Sequence, residues 1–234
     1  MPSAFVRARS HTLREIAARV LPRSVLFAHG DRHARRKRIA LTFDDGPDAM
    51  TEEYLDVLDE LGVRATFFLI GELAARRPAS VLEYVQRGHE IGGHGWTHTA
   101  FSPMSGAALG EELAKTTAAL GAGRASSVRV KSSPALVRPP RGILSPRALF
   151  HLVSAGYTTV MWSVDSDDCR TRDPRVVERK LHPTRVAPGD VVLMHETQPW
   201  TMKSLPGVVG RLRDAGYELV TIGELLNENS EDHE

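Results

Sequence analysis

The sequence lacks the features that would assign the chain to an oxidising compartment, a membrane or a polyanionic partner. Cys169 is the single cysteine, so an intrachain disulfide is excluded and the redox compartment stays open. No run of about 18 apolar residues occurs, which excludes a transmembrane helix. The formal net charge is only +1, and this balance argues against nucleic acid as the main partner.

The N-terminal stretch also lacks the apolar core of a secretory signal peptide. Arg7, Arg9 and Arg14 interrupt each apolar stretch there, so the h-region of such a peptide is absent. On this ground we expect a cytoplasmic protein, unless an export signal is missing from the sequence. Contact between this basic stretch and a membrane surface is a second interpretation, which stays open.

We expect three parts of unequal size. Residues 1–37 form a basic, irregular extension with a short amphipathic helix over 12–21. Its run from Arg35 to Arg38 is more typical of a solvated start to the first strand than of a phosphate site, since the whole chain is nearly neutral. Residues 38–226 form one folded domain, and residues 227–234 form a polar tail.

From Ile39 onward, short apolar β-favouring runs alternate with segments of helical periodicity. Thr51 is expected to cap the first of these helices, and residues 121–134 read as an exposed insertion. Repeated β/α units predict parallel strands. We expect an α/β fold that closes into a barrel, with an open doubly wound sheet as the alternative. The predicted strands are 39–43, 65–70, 90–92, 135–138, 158–164, 191–195 and 218–222.

The end of the first predicted strand carries two adjacent carboxylates, within the hexapeptide TFDDGP from Thr42 to Pro47. Neighbouring carboxylates repel, so a buried pair at a strand end is costly. That cost is explained if a cation binds Asp45 while Asp44 takes part in proton transfer. The simpler interpretation is a strand followed by an Asp-Gly-Pro turn without chemistry.

Two histidines follow the third predicted strand, at His94 and His98. At this spacing both rings can point to one side of a tight loop. A lone pair of this kind is more often a surface or core feature than a metal site. Together with Asp45, however, they form a common open zinc-type ligand set. Asp44 would then be free to take a proton from a metal-bound water.

Three further polar side chains are expected at the same edge of the sheet. His195 ends the sixth predicted strand. It is either a half-buried structural histidine whose ring is hydrogen-bonded or a general acid. Asp168 is the candidate carboxylate that would orient its ring and raise its pKa. Arg138 is placed to pair with Asp44, and a backbone N–H near Arg141 is placed to stabilise an oxyanion.

In their order along the chain, these motifs resemble the polysaccharide deacetylase (NodB-like) family, carbohydrate esterase family four. The resemblance rests on TFDDGP, on His94 with His98, on Arg138-Pro139-Pro140 and on Leu193-Met194-His195, and it spans residues 38–226. It implies a single distorted (β/α) barrel of about seven parallel strands. It also implies one divalent metal, usually zinc with cobalt, manganese or nickel as alternatives. The implied reaction is hydrolysis of an N-acetyl or O-acetyl group on a saccharide.

The resemblance assigns a role to each motif residue. It implies a metal triad, a catalytic base, a catalytic acid, a partner of the base and a partner of the acid. The metal triad would be Asp45, His94 and His98. Asp44 would be the base and Arg138 its partner, while His195 would be the acid and Asp168 its partner.

The substrate and oxyanion positions implied by the resemblance are Pro140, Arg141 and Leu193. The chain departs from the family pattern at three places. Gly95 replaces the usual Ser or Thr, Arg141 replaces an aromatic residue, and Cys169 replaces Trp. The last two departures favour an anionic saccharide over plain chitin-like substrates.

Three functions remain under comparison. The first is a metal-dependent carbohydrate deacetylase acting on an N-acetylated saccharide, which the resemblance would place at the cell envelope. The second is a metal-dependent amidohydrolase of a non-sugar substrate, and Arg141 and Cys169 motivate it. The third is a non-catalytic saccharide-binding protein, which ranks last because Asp44, Asp45 and the motif histidines are all retained.

Overall fold

The computed structural model describes residues 25–26, 36–122 and 135–227. The predicted helix over 12–21, most of the predicted insertion over 121–134, and the tail beyond 227 lie outside these residues. The predicted limits of the three parts of the chain therefore stay a prediction. Within the described ranges, no helix is both long enough and apolar enough to cross a membrane.

The described residues contain a nine-stranded sheet in which every strand pairing is parallel. The strands are β1 (Val25–Leu26), β2 (Lys37–Asp44), β3 (Thr66–Leu69), β4 (Glu90–Gly93), β5 (Leu136–Val137), β6 (Thr158–Val160), β7 (Val164–Asp165), β8 (Val191–His195) and β9 (Tyr217–Val220). Their order in the sheet is β1-β6-β5-β4-β3-β2-β8-β7, and β9 also pairs with β2.

Helices follow most of these strands and cover the sheet. They are α1 (Thr51–Glu60), α2 (Gly71–Arg76), α3 (Pro78–Gln86), α4 (Gly106–Ala122), α5 (Pro146–Ser154), α6 (Asp168–Thr171), α7 (Pro174–Lys180), α8 (Pro199–Asp214) and α9 (Ile222–Asn227). A 3₁₀ turn, Pro140–Gly142, follows β5. The alternation of parallel strands and helices confirms the predicted α/β class.

One predicted strand is divided in the structure. The run over 158–164 forms β6, which pairs with β5, and β7, which pairs with β8 on the far side of the sheet. Only residues 161–163 join the two, so the Cα atoms of Val160 and Val164 are four residues apart and at most about 14 Å from each other. The sheet must therefore curve until its two sides are close. Among the described strands, the two edges of the sheet do not pair with each other, so the sheet is barrel-like and open. The predicted distorted barrel is confirmed in this form.

Strand β2 lies at the centre of this sheet, between β3 and β8. Its side chains alternate between two faces. Phe43 points into the main core, where its ring stacks on Phe67 at 5.1 Å between centroids. Thr42 and Asp44 therefore point the other way, into the concave side of the sheet. Because all strands are parallel, their carboxyl ends lie along one edge, and β2 presents Asp44 there.

The first helix does not begin as the sequence predicts. Met50 is the N-cap of α1 and makes no side-chain capping bond, whereas Thr51 is already the first helical residue. The Thr51 hydroxyl accepts from the N–H of Asp48 at 2.9 Å and donates to the buried carboxylate of Glu196. The prediction of a Thr51 cap is wrong because Thr51 already lies within the helix and its hydroxyl oxygen accepts from the N–H of Asp48, before the helix, instead of from a helix N–H.

Candidate active site

The polar side chains singled out in the sequence gather at the carboxyl edge of the sheet. Asp44 ends β2 and His195 ends β8, and the two residues are register partners across these neighbouring strands. His94 directly follows β4, Arg138 directly follows β5, and Asp168 follows β7 at the start of α6. The fold thus brings five separate chain segments to one place.

Asp44 and Arg138 form a buried pair in the concave side of the sheet. Arg138 is fully buried, and its Nη1 donates to Asp44 Oδ1 at 2.7 Å and to Thr42 Oγ1 at 2.8 Å. Its Nε and Nη2 donate to the carbonyls of Val160 and Met161, each at 3.2 Å. These contacts fix both the position and the rotation of the Asp44 carboxylate, leaving Oδ2 directed toward the site.

Asp45 faces in a different direction and lies against the two motif histidines. Its Oδ1 is 3.4 Å from His98 Nε2 and 3.7 Å from His94 Nε2. The three candidate ligand atoms lie within 4.8 Å of one another. Asp45 Oδ1 is buried, yet it accepts no hydrogen bond from any residue in the described ranges. An unsatisfied buried carboxylate oxygen beside two imidazole nitrogens fits a bound divalent cation.

The surroundings of the two histidines also suit metal binding. His94 Nδ1 lies 2.8 Å from the carbonyl oxygen of Arg138. A carbonyl only accepts, so Nδ1 carries a proton and Nε2 is the ring nitrogen that faces Asp45. Burial lowers the pKa of His98, and the positive charges of His94 and Arg141 lower it further. Together these effects outweigh the negative charge of Asp45, which raises it. The carbonyl contact thus orients the His94 ring, and the lowered pKa of His98 favours its neutral, metal-binding form.

The backbone of these loops adopts conformations that few residues tolerate. Asp45 and His98 have φ values of 76° and 61°, in the left-handed region. Gly95 has a φ of 78°, and a Cβ there would lie 3.2 Å from both Phe101 and Pro140. The tight space and positive φ give a physical reason for glycine at the position where the resemblance implies Ser or Thr.

The loop between the two histidines is held by a residue that the sequence analysis missed. Glu112 Oε2 accepts from the N–H of Trp96 at 2.8 Å and from the N–H of Thr97 at 3.4 Å. Glu112 lies on α4, which packs against β4. Its sequence signal is weak, because a glutamate on an amphipathic helix ordinarily faces solvent.

His195 and Asp168 form the second polar pair of the site. Asp168 Oδ1 lies 2.8 Å from His195 Nδ1, and Oδ2 accepts from the N–H of His195 at 2.7 Å and from Thr201 Oγ1 at 2.8 Å. Burial alone would lower the pKa of His195. The hydrogen bonds to Asp168 and Cys169 and the charges of Asp168 and Asp44 raise it well above its ordinary value. His195 is therefore protonated at neutral pH.

The predicted substrate and oxyanion residues occupy different environments. Arg141 is exposed and has a φ of 59° in the turn after β5, while the neighbouring Pro140 is buried. Leu193 is buried within β8, next to Thr42 and Asp165 in register. Only Arg141 thus presents its side chain freely to solvent, and the substrate contacts of all three residues stay a prediction.

Glu196 is a further buried carboxyl group that the sequence analysis did not single out. Its Oε1 accepts from Thr51 and from the Tyr84 hydroxyl at 2.5 Å, and its N–H donates to the carbonyl of Asp44 at 3.1 Å. Burial raises the pKa of Glu196 to about 7. Its one sequence signal is its position directly after His195, at the end of an apolar strand.

Comparison with known proteins identifies relatives along most of the chain. Residues 31–160, more than half of the sequence, match the family model described as polysaccharide deacetylase. The peptidoglycan-N-acetylglucosamine deacetylase PgdA of Listeria monocytogenes is 33% identical over 90% of this chain and 43% of that protein. This chain thus spans less than half the length of that relative. The peptidoglycan-N-acetylglucosamine deacetylase of Bacillus cereus is 34% identical over 81% of this chain and 88% of that protein.

Solved structures agree with this result. The family 4 carbohydrate esterase from Streptomyces lividans, solved in complex with acetate, superposes with a TM-score of 0.71 at 30% identity. The match covers 82% of this chain and 92% of that one. By name these relatives are peptidoglycan-N-acetylglucosamine deacetylases and a carbohydrate esterase, which confirms the family expected from the motifs. By sequence motifs, family model and fold, the chain belongs to the polysaccharide deacetylase family.

Proposed function

We propose that this chain is a metal-dependent hydrolase that removes the acetyl group from an N-acetylated saccharide. The observation that carries the proposal is the different surroundings of two adjacent carboxylates. Asp44 is fixed by Arg138, whereas Asp45 leaves a buried oxygen unsatisfied beside His94 and His98. Different environments give neighbouring carboxylates different roles. Here they favour one proton acceptor and one metal ligand.

Asp45, His94 and His98 would hold the metal, and zinc is the cation that this ligand set suits best. When bound, the metal polarises the acetyl carbonyl and lowers the pKa of a water molecule. Three protein ligands leave coordination positions open, as in catalytic zinc sites. The lowered pKa of His98 favours its metal-binding form, and the hydrogen bond from His94 Nδ1 to the Arg138 carbonyl orients the His94 ring toward the metal position.

Asp44 is assigned the role of general base. Its Oδ1 is occupied by Arg138, but its Oδ2 lies 3.6 Å from His94 Nε2, at the border of the ligand set. A water attacking the acetyl carbon from this side would pass its proton to Oδ2. Arg138 holds the carboxylate in the required orientation, which reduces the entropy lost on reaching the transition state.

His195 is assigned the role of general acid. Asp168 fixes the ring through Nδ1, so the second ring nitrogen is available to protonate the departing amine. The tetrahedral intermediate carries an oxyanion, for which the backbone N–H of Arg141 is the proposed donor. Arg138, through Asp44, and Asp168, through His195, are positioning residues in this scheme.

Two relatives are named for N-acetylglucosamine in peptidoglycan, and we assign the same substrate class and a place of action at the cell envelope. The test is acetate release from a panel of chitooligosaccharides, peptidoglycan fragments and acidic saccharides, with added zinc and after chelation. Metal-dependent release from peptidoglycan fragments is expected. Release from no saccharide by metal-loaded protein would overturn the proposal in favour of a non-sugar amidohydrolase or a binding protein.

A further inference from the structure

A second group of metal-ligating side chains lies beside the proposed active-site metal position. Asp168, Cys169 and His195 each offer one ligand atom, and these atoms lie within 4.8 Å of one another. The group shares no residue with the set formed by Asp45, His94 and His98. Its Cys169 side chain is exposed, so a cation from solvent can reach it.

The chemistry of the three ligands is specific. A thiolate, an imidazole and a carboxylate together suit zinc and similar borderline-soft cations, whereas magnesium and calcium prefer oxygen ligands alone. Contacts already present bring the ligands into place. The Cys169 N–H donates to Asp168 Oδ1 at 2.8 Å, and the same Oδ1 lies 2.8 Å from His195 Nδ1.

We propose that Asp168, Cys169 and His195 form a second, inhibitory binding site for a zinc-type cation. The inhibitory effect rests on the proposed function, since it requires His195 to be the general acid. A cation bound at Nδ1 releases the Nδ1 proton to solvent and leaves a neutral ring, whose remaining N–H is a much weaker acid toward the departing amine than that of an imidazolium. Cation and proton thus compete for the same histidine.

This competition also sets the order of the two sites. Asp168 accepts four hydrogen bonds, including those from Thr201 and from His195, and the cation must replace the ring proton among them. Asp45 Oδ1, in contrast, accepts no hydrogen bond within the described ranges. The Asp45 set therefore fills first, and the Cys169 set fills at higher metal concentration.

The single cysteine of the sequence permits a direct spectroscopic test. The full chain is loaded with one equivalent of zinc and titrated with cobalt(II), whose bond to a thiolate gives a charge-transfer absorbance in the near ultraviolet. Only Cys169 can produce this band. We expect the band in the wild type and its absence in Cys169→Ala. As a control, His182→Ala removes an exposed histidine outside the group and should keep the band.

The inhibition is measured separately, as acetate release against zinc concentration above one equivalent. Each variant is compared with its own rate at one equivalent. The wild type should lose activity, and Cys169→Ala should need at least about ten-fold more zinc for the same loss. Absence of the cobalt band in the wild type would overturn the site. A band with equal zinc inhibition in both proteins would overturn its inhibitory role. The spectroscopic result needs no deacetylase activity, so failure of the proposed function is recognised independently.

Discussion

Arg138 Nη1 lies 2.7 Å from Asp44 Oδ1, and both side chains are buried at the carboxyl edge of the sheet. The pair joins the ends of β5 and β2, two strands that are far apart in the sequence. It also gives the two carboxylates of the motif different surroundings, because Asp44 pairs with a guanidinium while Asp45 lies beside His94 and His98. The pair therefore fixes the orientation of the Asp44 carboxylate, and removal of either partner would leave a buried charge unpaired.

Replacing Arg138 by Met should be strongly destabilising, because it leaves the buried Asp44 carboxylate without its counter-ion. We expect the free energy of unfolding in urea to fall by about 3–5 kcal/mol. Arg87→Met is the matched control, since Arg87 pairs with the exposed Asp56 and Asp59. That variant should lose less than about 1 kcal/mol. Equal losses in the two variants would contradict the assigned importance of the buried pair.

The Asp168–His195 pair predicts a pH dependence. Burial opposes ionisation of Asp168, but its hydrogen bonds with His195 and Thr201 lower its pKa, while the pKa of His195 is raised. The stability due to His195 is therefore complete below its ordinary pKa and is lost as the pH rises through the folded-state value. The stability due to Asp168 is present above the ordinary pKa of this residue and is lost as the pH falls through its folded-state pKa.

The corresponding activity measurement is the pH profile of kcat. His195 should stay protonated above neutral pH. The decline of kcat on the alkaline side should therefore begin well above the ordinary histidine pKa of about 6.5. In Asp168→Asn the carboxylate that raises the His195 pKa is absent. The alkaline decline should then begin at lower pH, and an unchanged profile would exclude His195 as the acid.

Gly46 is predicted to tolerate no side chain. A Cβ at Gly46 would overlap the Glu196 carboxylate and lie 2.8 Å from the Tyr84 hydroxyl. Gly46→Ala should therefore destabilise the protein by roughly 1–3 kcal/mol in urea unfolding. Gly210→Ala, on the exposed side of α8 with open space around it, should instead stabilise by up to about 1 kcal/mol. The same sign for both changes would count against this description of the turn.

Much of the fold could be predicted because the local patterns agree with it. The apolar runs mark the strands, and in parallel β/α units the strand ends share one edge. This rule alone places Asp44, His94, Arg138 and His195 together, without any knowledge of distances. Their proposed roles still require the experiments above.

The missed features depend on contacts between distant residues. Thr51 and Glu196 are 145 positions apart, so no local pattern reveals that the Thr51 hydroxyl donates to a buried carboxylate. The run over 158–164 is uniformly β-favouring in sequence. Its division arises because β6 pairs with β5 and β7 with β8. Such a division depends on sheet curvature, which short-range periodicity does not contain.

The most direct test of the central assignment is to measure metal content and kcat together in Asp44→Asn. Asn keeps the shape of the side chain but takes up no proton. We expect zinc to remain bound at one equivalent while kcat falls by about 10²–10⁴-fold, and Asp45→Asn to lose the metal as well as activity. Retained activity in Asp44→Asn, or loss of its zinc, would contradict the assignment of Asp44 as a base separate from the metal ligands.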